Sequence, residues 1–119
     1  MQKLIFLGYK IKNLVFLTLV ITSLVACRGV EEPTEVDLGI LVEHHSQYLG
    51  QIVTTWGVLR TFNPPRHYWI ETPDLQRVGL VPGHKVELYV DQRVQVTGRF
   101  NMIEGAGRQL MVDHIRVYP

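Results

Sequence analysis

The amino-acid sequence predicts an all-β protein: a small, closed, five-stranded barrel with one helix ahead of its first strand and a leader that is removed. Three observations carry this reading. Short runs rich in β-branched and aromatic residues recur at intervals of roughly 10 to 15 residues from Gln51 onward, each closed by Pro, Gly or Asn. Two of these runs contain a glycine, Gly57 and Gly98, which is unfavourable in a strand unless the strand must bend sharply, as at a barrel corner. A single stretch has helical rather than alternating spacing, and it comes first.

The elements follow in order. Residues 1–26 have the layout of an export signal. Lys3, Lys10 and Lys12 form a positive start, Leu14 to Val25 is an uncharged apolar run (LVFLTLVITSLV), and small residues close it at Ala26 and Cys27. The competing reading is an uncleaved membrane helix, which needs about 20 apolar residues. Leu4 to Ala26 is long enough, but Lys10 and Lys12 interrupt it, and each is costly near the bilayer centre. Leu24-Val25-Ala26-Cys27 resembles the lipobox of bacterial lipoproteins. The resemblance implies a diacylglyceryl thioether on Cys27, cleavage between Ala26 and Cys27, and an anchor of two or three acyl chains, enough to hold a protein on a membrane. Cys27 is the sole cysteine of the 119-residue chain, so no disulfide or Cys-type metal site remains once it is lipidated.

Residues 27–34 read as a polar tether broken by Gly29 and Pro33, and the domain is expected over 35–119. Thr34 and Asp37 resemble a weak capping box, and Val36, Ile40, Leu41, Tyr48 and Leu49 share one helical face before Gly50, so a helix is expected over about 35–48. Strands are expected over Ile52–Phe62, His67–Thr72, Arg77–Val81, Arg93–Phe100 and Gln109–Tyr118. Lys85–Val90 reads either as an extra strand or as an irregular crossover.

Tyr48-Leu49-Gly50-Gln51-Ile52-Val53, Trp56-Gly57-Val58 and Asp91-Gln92-Arg93-Val94-Gln95-Val96-Thr97-Gly98 resemble the first- and fourth-strand signatures of bacterial OB-fold domains, the barrels related to tRNA-anticodon and single-strand-binding modules. The likeness spans roughly residues 36–119. One departure stands out: the usual helix between the third and fourth strands has only Gly83–Gln92 to occupy, and that stretch reads extended.

OB barrels present a ligand face over the middle strands and the loops joining strands 1 to 2 and 4 to 5. The resemblance therefore implies a binding module rather than an enzyme. Its phasing points Val53, Thr55, Gly57 and Leu59 inward, leaving Trp56 and Arg60 outward on the first strand. His67, Tyr68 and Trp69 on the second and Arg99 on the fourth complete the candidate ligand residues, because aromatic rings flanked by arginines stack on bases, sugars or a partner's side chains. The alternative is that Trp56 packs under the helix and that Tyr68 or Trp69 belongs to the core.

Other chemistry has little support. Of the five histidines only His44 and His45 are neighbours in sequence, and adjacent helical residues point about 100 degrees apart, so one ion is not expected to be held by both. No HExxH, Walker, Rossmann or GxSxG pattern occurs, and Glu71 with Asp74 or Glu104 with Asp113 read as ordinary loop and strand-end charges. Neither a cofactor nor a metal is expected. After cleavage, nine basic and eleven acidic residues leave a formal −2, which does not suit a strong polyanion binder. The expected function is a membrane-anchored envelope module, on the outer membrane facing the periplasm where two membranes exist and otherwise on the outer face of the cytoplasmic membrane, that binds an envelope protein, peptide or glycan without chemistry. Single-stranded nucleic-acid binding is the alternative.

Overall fold

The computed structural model describes residues 30–119; the leader, Cys27 and the start of the tether lie outside them. Glu32–Pro119 forms one compact unit that contains the whole described core, from Val36 to Val112, and thus folds on its own contacts.

The sheet begins with β1 (Thr34–Glu35), which runs parallel to β2 (Ile52–Phe62) with Thr34 opposite Val53. Thr34, expected to be the last tether residue, is thus already in the sheet. The remaining strands are β3 (His67–Glu71), β4 (Arg77–Val81), β5 (Arg93–Ile103) and β6 (Gly107–Val117). Their order is β1-β2-β3-β4-β6-β5, and β2 also pairs with β5, which closes five strands into a barrel. β2 accomplishes this by changing partners along its length: Ile52 to Val58 pairs with β5 and Val58 to Phe62 with β3. Gly57 sits at that change. A Cβ there would lie 2.9 Å from the Glu71 carbonyl oxygen and 3.2 Å from Leu38 Cδ2. β4 and β6 are parallel, with Gly79 opposite Gln109, and every other barrel pairing is antiparallel.

The expected helix is shorter than its periodicity suggested. It covers Leu38–Glu43 (α1) and is followed by a 3-10 turn at His45–Gln47. Asp37, not Thr34, caps it, accepting the Gly39 N–H on Oδ2 at 3.0 Å. Because Thr34 and Glu35 are used by the sheet, the helix cannot start earlier. Leu38 and Leu41 face the barrel and are buried, whereas Ile40 and Leu49 are exposed. The Gly83–Gln92 stretch is the irregular crossover: two 3-10 turns, Gly83–Lys85 and Glu87–Tyr89. Val86 between them is fully buried, and Lys85 Nζ donates to the Val112 carbonyl at 3.1 Å, so this short segment seals the barrel where it passes from β4 to β5.

Alternation fills the interior. Val53, Leu59, Ile70, Val78, Val94, Val96, Phe100 and Leu110 point inward and are fully buried.

Candidate functional site

Alternation also sets the outer face. On β3, Tyr68 and Ile70 go in, so His67, Trp69 and Glu71 come out; on β4, Arg77 and Gly79 come out. His67, Tyr68 and Trp69 of β3, Arg77 and Gly79 of β4 and the β5–β6 hairpin, through Met102, Gly107 and Arg108, line a cleft of about 380 Å³.

Trp69 is the centre of this cleft and is held on all sides. Its neighbours across the sheet are Arg60 on β2 and Gly79 on β4. A Cβ at position 79 would lie 3.3 Å from the Arg108 carbonyl oxygen, so β6 passes close to the sheet here. The Arg77 guanidinium carbon stands 5.0 Å from the Trp69 ring centroid, a cation–π contact. The His67 ring lies 5.2 Å away, tilted by 30°, and meets Phe62 edge-on at 6.3 Å. His67 Nδ1 donates to the Pro65 carbonyl at 2.8 Å, because a carbonyl can only accept, and this fixes the ring against the β2–β3 loop. Arg108 Nε donates to the Arg77 carbonyl at 3.2 Å and so keeps its charge beside the cleft. Two arginines and no carboxylate line this surface, which makes it locally positive although residues 30–119 carry eleven acidic and eight basic side chains.

Behind the cleft, Glu71 orients Trp69. Its Oε2 accepts the indole N–H at 3.2 Å and its Oε1 accepts Arg60 Nε at 3.1 Å. Arg60 also donates through Nη1 to Asp91 at 2.7 Å. The bond to Asp91 and then that to Glu71 raise the Arg60 pKa above its ordinary value. Glu71, read from sequence as an ordinary strand-end charge, therefore holds the Trp69 indole N–H from behind the cleft.

The sequence-derived candidates separate. His67 and Trp69 reach the cleft together. Tyr68 borders the cleft beside them but is only 7 % exposed and belongs to the core, its ring packing so closely over Gly83 that a Cβ there would come within 2.8 Å of it. Arg60 serves the carboxylates behind the cleft. Arg99, opposite Ile52 and Met111, donates to the Gly50 carbonyl at 2.5 Å and does not line the cleft. Trp56 is on the outer face but lines a different cavity, stacked on Tyr118. Arg77, Met102 and Arg108 were not anticipated. Arg77 could have been found from strand phase, since it precedes inward Val78; Arg108 depended on the parallel β4–β6 pairing, which no local pattern signals. Among the described residues no three His, Cys, Asp or Glu side chains converge as a metal site, and no helix is long and apolar enough to cross a membrane.

No family model matches the chain, and no curated protein matches it. Solved structures do. Replication protein A of U. maydis bound to ssDNA superposes with a TM-score of 0.52 and 22% identity, over 76% of this chain and 77% of that one. The fold is an OB barrel. A Leishmania major Friedlin protein assigned as an aspartyl-tRNA synthetase matches with a TM-score of 0.53 and 11% identity, over 76% of this chain but only 21% of that one. In OB terms the cleft lies over the second and third strands and against the loop joining the fourth and fifth, the surface such barrels use for ligands.

Proposed function

We propose that this chain is a lipid-anchored, non-catalytic OB-fold module whose cleft binds a short stretch of single-stranded nucleic acid. The observation that carries the reading is the Trp69 ring set between Arg77 and His67 in a cleft with two arginines and no carboxylate. Stacking rings accept any base, and the arginines meet the phosphates that join one base to the next. The likeness to a replication protein A structure with bound ssDNA supports the same choice among OB ligands. The formal −2 does not oppose it, because the charge that counts is the charge near the bound strand.

A labelled 12-mer of thymidylate, titrated into the chain from residue 28 onward, tests the reading. Two phosphate contacts, through Arg77 and Arg108, give a log–log salt slope of about −1.4, so affinity falls roughly sevenfold between 50 and 200 mM salt. Absence of binding at 50 mM salt overturns it.

A second reading, an envelope protein, peptide or glycan as ligand, is favoured by one observation, the lipobox-like Leu24-Val25-Ala26-Cys27 behind an apolar leader. It calls for a partner outside the cytoplasm. Cys27→Ser should move the protein out of the membrane fraction, and a native product carrying an unmodified thiol at Cys27 overturns the anchor.

A further inference from the structure

β6 is paired along its whole length on one side only. β5 follows it from Gly107 to Val117, whereas β4 accompanies the other side over residues 109–111 alone. The sequence gives the reason: Val81, opposite Met111, is followed by Pro82, which has no N–H to continue the ladder, and the chain leaves for the crossover. Among the described residues the crossover bonds to β6 at Val112, through Lys85 Nζ, and no backbone hydrogen bond runs from it to residues 113–117.

The ladder fixes which backbone groups face this open edge. Tyr118 donates its N–H to the Arg93 carbonyl at 2.8 Å, so the pairs that exchange hydrogen bonds with β5 are next Gln95 with Arg116 and then Thr97 with His114. Ile115 and Val117 therefore turn their N–H and C=O groups away from β5, toward the side where no strand lies. Such an edge is a template for another strand.

The side chains along the edge differ between its two faces. Ile115 and Val117 are opposite Val96 and Val94 and share their inward phase, yet Val117 is 53 % exposed while both partners are fully buried. The apolar interior is thus uncovered where the edge is open. On the outer face stand His114 and Arg116, both exposed, and Arg116 Nε donates to the neutral Gln95 amide oxygen at 2.6 Å, which leaves its charge unmatched. Lys85 adds a cation at the Val112 end. The one carboxylate of β6, Asp113, falls at the bulge opposite Thr97 and Gly98, before the open edge begins.

We infer that this edge is a docking site for an extended segment of a protein partner, added to the sheet as a further strand, with apolar and acidic side chains in alternation. Main-chain bonds to Ile115 and Val117 hold the segment, its apolar residues cover Val117, and its carboxylates meet Arg116 and His114. Charge selects the occupant. A second copy laid antiparallel on the same edge would set Arg116 against Arg116, and like charges directly opposite are destabilising. The edge does not depend on the nucleic-acid reading, since none of its residues lines that cleft.

Amide hydrogen exchange of the chain from residue 28 onward reads the edge directly. In the free chain the Ile115 and Val117 amides should exchange fast and those of His114 and Arg116 slowly. Acetyl-Val-Glu-Val-Glu-Val-amide should protect Ile115 and Val117, and acetyl-Val-Lys-Val-Lys-Val-amide should not. Arg116→Gln should weaken the acidic peptide about fivefold, the effect of one exposed charge pair, and Arg116→Glu should reverse the preference. Val117→Pro deletes an edge N–H without touching a bond to β5 and should weaken the peptide threefold or more, roughly the effect of one lost hydrogen bond. Trp69→Ala should leave peptide binding intact, so failure here and failure of the oligonucleotide experiment remain distinct. Unchanged exchange at Ile115 and Val117, equal protection by the basic peptide, or a preference retained in Arg116→Glu overturns the inference. Protection that grows with protein concentration in the absence of peptide also overturns it, by showing a second copy on the edge.

Discussion

Trp69 donates its indole N–H to Glu71 Oε2 at 3.2 Å while the other oxygen of the same carboxylate accepts Arg60 Nε at 3.1 Å. One largely buried carboxylate, its side chain 13% exposed, thereby ties the ring of the cleft to an arginine on the neighbouring strand. Glu71→Ala removes both bonds and leaves Arg60 with Asp91 alone. The expected cost is about 1 to 2 kcal/mol of stability, the net value of a charge-assisted bond and a partner left unsatisfied. Trp69 emission should move to longer wavelength as the ring loosens, and oligonucleotide affinity should drop. Glu71→Gln keeps an acceptor for the indole and should retain more of both. Unchanged emission in Glu71→Ala would show that Arg77 and His67 hold the ring unaided.

Adjacent positions on β3 separate binding from stability. Trp69→Ala takes a partly buried ring from the cleft and should weaken oligonucleotide binding by about 1 to 3 kcal/mol, or roughly 5- to 150-fold, with a smaller effect on melting temperature than Tyr68→Ala. Tyr68→Ala empties a core position and should cost about 3 to 5 kcal/mol of stability. The check is a melting curve beside a binding isotherm for each variant. A large stability loss in Trp69→Ala with unaltered binding would place its ring in a structural role.

What was legible in the sequence was whatever local chemistry determines. The alternation of Arg93 to Phe100 declares which face is buried, and Gly57 and Gly98 announce bends that only a closed sheet requires. The helix was overestimated because helical spacing in Val36, Ile40 and Leu41 is local, while the pairing of Thr34 with Val53 is not. The cleft was half legible for the same reason. His67 and Trp69 share one strand and one phase, but Arg108 joins them only because β6 lies parallel to β4, a long-range pairing. Of the two readings the sequence left for Tyr68, ligand face or core, strand phase decides for the core: on β3 its phase is that of Ile70, which is fully buried.

Gly98 marks the tightest place in the barrel. The β5–β6 ladder shifts register between Thr97 and Gly98, and a Cβ at position 98 would fall onto the Met111 carbonyl oxygen. Backbone, not a flexible side chain, occupies that space, so relaxation requires the strands to part. Gly98→Ala should therefore destabilise the domain by about 3 kcal/mol or more, at the upper end of overpacking costs. Gly50→Ala serves as a contrast: its φ of 77° disfavours alanine, but no atom lies within 4 Å of the added Cβ, so only about 1 kcal/mol of backbone strain is expected. Denaturant melts of the two variants check the ranking, and equal losses would refute the steric account of position 98.

Thr55 offers a change in the opposite direction. Its side chain faces the barrel interior, the residue is fully buried, and among the described residues Oγ1 is a buried polar atom without a hydrogen-bond partner. By contrast, the neighbouring Thr54 hydroxyl, on the outer face, pairs with Thr97 Oγ1 at 2.8 Å. A hydroxyl brought from water into an apolar interior without a partner costs about 1 to 3 kcal/mol. Valine has nearly the same shape and the same preference for strands, and it supplies a methyl group where the hydroxyl now stands. Thr55→Val should raise stability by about 1 kcal/mol, and in a domain of this size the melting temperature by roughly 4 to 8 °C. Trp69 and Arg77 point to the outer face, so oligonucleotide binding to their cleft should not change. A fall in melting temperature would mean that the hydroxyl has an acceptor, with an enclosed water the first to look for, since one polar atom in a barrel core can hold a water only if other polar groups share it.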